Sequence, residues 1–176
     1  MLVPVQQHMP RRRNGHTTAV TIGGERFYLT ANGREDGSLG EVFIQWGKQG
    51  STYAGLMDSY AVALSVGLQH GVPLVDLIQP GLGMCCLPNG HTDDPEIPRA
   101  RSVIDYFCRR LAVDWLPLRE RAELGIFTIS ERVRQAGLWE PVYEPAVQPL
   151  RPQPVAPEDD TARLFWELAS SVAAAD

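Results

Sequence analysis

Three cysteines, Cys85, Cys86 and Cys108, are the most reactive side chains in this chain of 176 residues, and two of them are adjacent. With His91 and Asp93 a few residues on, Cys85 and Cys86 offer the kind of donors that zinc takes. They lack the usual spacing of roughly two to four residues that lets a thiolate pair close a tetrahedron, and a disulfide between neighbours is strained. Metal or redox chemistry at Cys85, Cys86 and His91 is therefore the sharper of two expectations. The plainer one is that both thiols pack as small buried apolar groups. Cys108, beside Phe107 in a helical pattern, is expected to pack. An odd cysteine count without regular spacing is no secreted disulfide framework and fits the reduced thiols of a cytoplasm.

Charged residues offer two further chemistries. Arg11, Arg12 and Arg13 form a basic run that could meet phosphate, although three arginines on an arm are more often simply solvated. The formal net charge of −5 sets the chain apart from nucleic-acid polycations, and nucleic acid is not the expected partner. Glu41 and Asp58 could share acid–base work, but nothing in their spacing brings them together. Arg34, Glu35, Asp36 and Lys48 surround a strand and could face a partner or a nucleotide; a turn with paired charges is the default.

The elements that must position these residues follow from pattern. Residues 1–14 are expected to be a flexible basic arm. Thr, Val and Ile dominate 16–22, Gly23-Gly24 supplies a tight turn, and 25–30 returns with Phe27 and Leu29 on one face. Residues 41–46 alternate again, Val42, Ile44 and Trp46 against Glu41, Phe43 and Gln45. A helix over 52–69 starts at a Ser51 cap, carries the stripe Met57, Tyr60, Ala61, Leu64 and Leu68, and stops at Gly71. It is too polar to span a membrane. Short helices are expected at 73–78, 118–123 and 130–136, the last capped by Ser130, and a longer one at 98–113 with Asp105 and Arg109 on its polar side. The fold class is α+β, a three-stranded antiparallel sheet packed against helices, with the domain running over 15–137. Six prolines between 140 and 157 mark a linker (138–158), and 159–176 ends in an amphipathic helix, about 161–174. Its Leu164, Phe165, Trp166 and Leu168 are candidate partner contacts of the helix-in-groove kind.

Several segments in order then carry a resemblance. They are Arg34-Glu35-Asp36-Gly37-Ser38-Leu39-Gly40-Glu41-Val42-Phe43-Ile44, Gly47-Lys48-Gln49-Gly50-Ser51-Thr52, Leu68-Gln69-His70-Gly71-Val72-Pro73-Leu74, and Asp94-Pro95-Glu96-Ile97-Pro98 leading into Ser102-Val103-Ile104-Asp105-Tyr106-Phe107. Together, over roughly 10–137, they resemble the C-terminal TSCPD region of cobalamin-dependent (class II) ribonucleotide reductases. The resemblance implies an activity that resides elsewhere in that family. Its thiyl radical, redox cysteine pair, Asn and Glu belong to a barrel of several hundred residues, and its C-terminal cysteine pair has no counterpart in Ala173-Ala174-Ala175-Asp176. A shaped pocket and a cofactor must act together in such chemistry.

The expectation is thus a non-catalytic accessory or regulatory module acting through protein contacts, with a reductase catalytic subunit or a second copy as partner. No cofactor is expected in this chain, and adenosylcobalamin enters only through a catalytic subunit. Homodimerisation is motivated by the open edges of a three-stranded sheet. The alternatives are a subunit completing a split reductase, and a protein that binds nucleotides or nucleic acid. A cytoplasmic protein without a membrane anchor or signal peptide is expected.

Overall fold

In the computed structural model, residues 5–47 and 50–137 are described. β-Branched and aromatic residues at alternate positions form three strands: β1 (Gly15–Ile22), β2 (Glu25–Gly33) and β3 (Leu39–Trp46). They make one antiparallel sheet in the order β1-β2-β3, β2 running three residues beyond the expected span. Gly23 and Gly24 close the first hairpin at φ of 58° and 87°, a left-handed pair that side chains with a Cβ resist. The register sets Phe27 opposite Val20 and Trp46, and Leu29 opposite Ile44. One face therefore gathers Val20, Ile22, Phe27, Leu29, Ala31, Val42 and Ile44, all buried.

Three helices close the core. The expected α1 (Thr52–Gln69) is capped by Ser51, whose hydroxyl accepts from Ala54 N, and buries Ala61, Leu64 and Leu68. A short α2 (Leu74–Ile78) follows, with Pro73 just outside it as the cap residue. The expected helix over 98–113 begins later, as α3 (Val103–Trp115). Residues 98–102 lie outside the helix instead, because Ser102, itself extended, caps α3 by accepting from Asp105 N at 3.0 Å. Arg99–Ala100 pairs with Gly90–His91 as a second small sheet, β5 with β4. α3 presses Phe107 edge-on to Phe27, ring centres 6.4 Å apart, and buries Tyr106, Cys108, Leu111 and Ala112 completely. Each large apolar side chain removed from water in this way stabilises the fold by about 2–3 kcal/mol.

Two short helices complete the described chain: α4 (Leu118–Glu123) and α5 (Ile129–Gln135). The α5 cap is Thr128 rather than Ser130. Its hydroxyl and the Glu131 carboxylate form a reciprocal capping box, which satisfies two end groups where Ser130 would satisfy one. Arg121 of α4 grips Glu131 through two parallel bonds. The guanidinium, through these bonds above all, holds the Glu131 carboxyl down at about 2.

Buried charge holds the remaining loops. Asp105, expected on a polar helix face, is 1% exposed. It accepts from Gly83 N at 2.7 Å, Arg101 N at 2.9 Å and Arg109 Nε at 2.9 Å. Arg110 binds Asp94, Glu96 and Asp114, and Tyr106 donates its hydroxyl to Asp94 at 2.7 Å. Burial works to raise the Asp94 pKa, but the bonds from Tyr106, Glu96 N and Arg110 outweigh it and hold the carboxyl below its ordinary range. The segment Asp94-Pro95-Glu96 is in this way bound to α3.

Residues 5–14 do not stand free as an arm. Gln7 N donates to Gln69 O at 2.8 Å, Gln6 bonds the Gln69 side chain at 2.7 Å, and Arg34 donates to both Gln7 and Leu68 O. The sheet edges are covered in part as well. On β3, Val42 N donates to Ser65 Oγ of α1 at 2.9 Å, and that hydroxyl lies 3.1 Å from Val42 O. On β1, Thr21 N donates to Asp93 Oδ1 at 2.7 Å and Ile22 bridges to Thr92. Open edges therefore give little drive for self-pairing at these positions. No helix among the described residues is long and apolar enough to cross a membrane.

Candidate functional site

The structure distributes the expected site residues unevenly. Cys85 and Cys86 are both exposed, so they are not the buried packing groups expected. The loop's backbone is tied inward, Gly83 N to Asp105 and Cys86 N to Arg101 O, while the side chains of residues 84–87 remain accessible. His91 is exposed on β4, and Asp93 is committed to Thr21 N, whose hydrogen bond holds the carboxyl below its ordinary range. Among the described residues no group of three or more His, Cys, Asp or Glu is placed to hold a metal ion. Cys108 packs as expected. A Cβ on Gly81 would stand 2.5 Å from its sulfur, and burial above all pushes its thiol up to about 11. It is therefore a protonated, inert thiol near neutral pH.

The charged candidates separate similarly. Arg13 pairs with Glu41, which also accepts from Asn32 at 2.6 Å, while Arg11 and Arg12 are exposed. Glu41 and Asp58 line one cavity, but no hydrogen bond joins them among the described residues. Arg34 to Ser38 is a turn in which Arg34 and Asp36 are engaged and Glu35 is exposed. Asp36 accepts from both the hydroxyl and the amide of Ser38, and those bonds hold its carboxyl low. Lys48 lies outside the described residues. So do Leu164, Phe165, Trp166 and Leu168, the 138–158 linker and the 161–174 helix.

The side chains that do come together without an internal use lie along the seam of β3 and α1. Phe43 is 45% exposed and Val62 60% exposed, and with Val66 they wall a cavity of about 340 Å³ rimmed by Glu41, Asp58 and Gln69. A second depression, about 680 Å³, continues past the shared Ile44 and Asp58 to Tyr28, Arg26 and Trp46. Tyr28 and Phe43 are diagonal neighbours on the solvent face of the sheet, since Tyr28 pairs with Gln45, and aromatic rings at that spacing reach each other. Arg26 lies over the Tyr28 ring at 5.9 Å, and Trp46 donates to Glu25 at 2.7 Å. The result is a furrow in which exposed apolar side chains alternate with charged and polar ones. Strand alternation had set Phe43 away from the core, and Val62 and Val66 fall off the buried α1 stripe. Their signal was large apolar residues on faces that the packing pattern leaves wet.

Comparison with known proteins gives a consistent result. The TSCPD domain matches residues 4–114. The chain is similar to the vitamin B12-dependent ribonucleotide reductase of Streptomyces avermitilis, 48% identical over 140 residues, covering 78% of this chain and 14% of that protein. The reductase of Streptantibioticus cattleyicolor is 48% identical over 143 residues, covering 81% and 24%, and that of Agrobacterium fabrum is 33% identical over 136 residues, covering 77% and 11%. The chain thus spans less than a quarter of the length of these relatives. No solved structure matches it.

Proposed function

This chain belongs to the TSCPD domain family, and from that premise we propose that it is a non-catalytic accessory module that docks onto the catalytic part of a vitamin B12-dependent ribonucleotide reductase. The observation that carries the reading is the furrow along β3 and α1, where Tyr28, Phe43, Val62 and Val66 present large apolar groups to solvent. Exposed apolar side chains grouped in this way fit a protein contact, and the exposed charges of Asp58 and Arg26 on the rim would set register and orientation. The likeness to reductases over about four-fifths of the chain supports the choice of a reductase as the partner class. Adenosylcobalamin would reside on that partner.

The test is to mix the full chain with a vitamin B12-dependent reductase trimmed of its own TSCPD region and to measure association by sedimentation. We expect a complex whose affinity falls at least about tenfold in the Phe43→Glu, Val62→Lys double variant, the loss of two central apolar contacts. Absence of a complex, or a complex indifferent to both substitutions, sinks the docking reading. Deoxynucleotide formation that depends on this chain in the same mixture would instead favour a subunit completing a split reductase.

A further inference from the structure

Arg99 on β5, Arg109 on α3 and Arg132 on α5 are remote in sequence, yet they wall one cavity of about 230 Å³. We propose that this cavity binds a phosphorylated small molecule, with phosphate on the guanidinium groups and the organic part against Ile97, Ile126 and Phe127. The site shares no residue with the furrow on β3 and α1, and it stands whether or not the chain docks onto a reductase.

Two of the guanidiniums are held by one nitrogen and presented by the others. Arg109 gives Nε to the buried Asp105 at 2.9 Å. Asp105 is itself fixed by Gly83 N and Arg101 N, so the head group is oriented by a rigid anchor. Arg132 gives Nε to Phe127 O at 3.5 Å. In both, the terminal nitrogens that form the bidentate fork to a phosphate are left for a ligand. One carboxylate also lines the cavity, Glu96, and its Oε2 is engaged by Arg110 at 2.7 Å. Arg109 is paired with the buried Asp105 and Glu96 with Arg110, so Arg99 and Arg132 supply the uncompensated positive charge, on a chain whose overall charge is −5. Such a local reversal of sign concentrates an anion where the whole molecule would repel it. Three forks exceed what a single carboxylate can accept and match the several oxygens of a phosphate. The cavity is smaller than the usual drug-sized pocket of about 300 Å³ or more, so the ligand is of mononucleotide size or less. Phe127 and Ile97 give its organic part an apolar wall, with Ile97 buried.

Calorimetry on the full chain with inorganic pyrophosphate, with adenosine monophosphate and with a short single-stranded oligonucleotide tests this. We expect pyrophosphate, adenosine monophosphate or both to bind, more weakly as salt rises. The Arg99→Gln, Arg132→Gln double variant should bind at least about tenfold more weakly, while Arg11→Gln, Arg12→Gln binds as the unaltered chain does. Titration of unaltered protein, followed by the side-chain Nε–H resonances, should shift Arg99, Arg109 and Arg132 and leave Arg11 and Arg12 in place. This reads the site even where a variant fails to fold. Binding by the oligonucleotide alone, binding that survives loss of Arg99 and Arg132, or no resonance shift with either small probe overturns the proposal.

Discussion

Replacing Asp105 by Asn keeps the shape of the side chain and removes its charge at the buried point where the 80–89 loop meets α3. The carboxylate accepts three bonds, from Gly83 N, Arg101 N and Arg109 Nε. An amide can retain the two on Oδ1 through its own oxygen. Its NH₂ then faces the Arg101 amide, donor against donor, which leaves a buried N–H unsatisfied at a cost of about 1–3 kcal/mol. The bond to Arg109 falls from charge-assisted to neutral, a further loss of roughly 1 kcal/mol. Arg109 is not stranded by this, because its side chain is 26% exposed and solvent can take up its charge. The sum is about 2–4 kcal/mol, below the cost of breaking a fully buried pair. For a domain of this size that corresponds to a fall in Tm of roughly 10 °C. Thermal melts followed by circular dichroism measure it, and hydrogen exchange at the Gly83 and Arg101 amides locates it. A fall of less than about 2 °C, with both amides still protected, would refute the role of Asp105 as the clamp of this loop.

Two further outcomes follow from proton and thiol chemistry. The Glu131 carboxyl is depressed to about 2 from 4.5, so its pair with Arg121 contributes stability that is complete above pH 4.5 and lost as pH falls through about 2. Its side chains are 10% and 16% exposed, so the contribution lies between that of an exposed and of a fully buried pair, about 1–2 kcal/mol. Glu131→Gln should remove that much at pH 7 and flatten the acid limb of a denaturation series, and an unchanged limb counts against it. Thiol titration at pH 8 should label Cys85 and Cys86 within the folded chain, while Cys108, buried and with a thiol pushed up to about 11, reacts only after denaturation. Rapid labelling of Cys108 in the folded chain would contradict its burial.

Much of the fold was legible where a local pattern and a tertiary contact agree. Gly23-Gly24, the alternation through Phe27 and Leu29, and the Ser51 cap with the stripe from Met57 to Leu68 each act through neighbours in sequence. The misreadings arose where a distant partner decides. Residues 98–101 carry helical spacing, yet β4 recruits Arg99 and Ala100 to a sheet and Ser102 delays the helix. Asp105 sits among polar neighbours on its helix but faces the 80–89 loop, whose amides no spacing rule reveals. Cys85 and Cys86 have the composition of packing residues, and the clamp on Gly83 and Cys86 N turns that stretch outward. The furrow was half visible, since Phe43 already lay opposite the core-facing residues of its strand. The convergence of Arg99, Arg109 and Arg132 was invisible, because three elements separated in sequence assemble it.

The hydroxyl of Ser65 has a consequence for how anything can be recognised by this domain. It accepts from the Val42 amide and lies 3.1 Å from Val42 O, while its own proton goes to Ala61 O at 2.8 Å, so α1 occupies the place beside Val42 where a further strand would add. An incoming polypeptide finds no main-chain template there. It must be selected by the contours and charges of side chains, so affinity will respond to substitutions in its own sequence far more than it would in a mode built on backbone pairing.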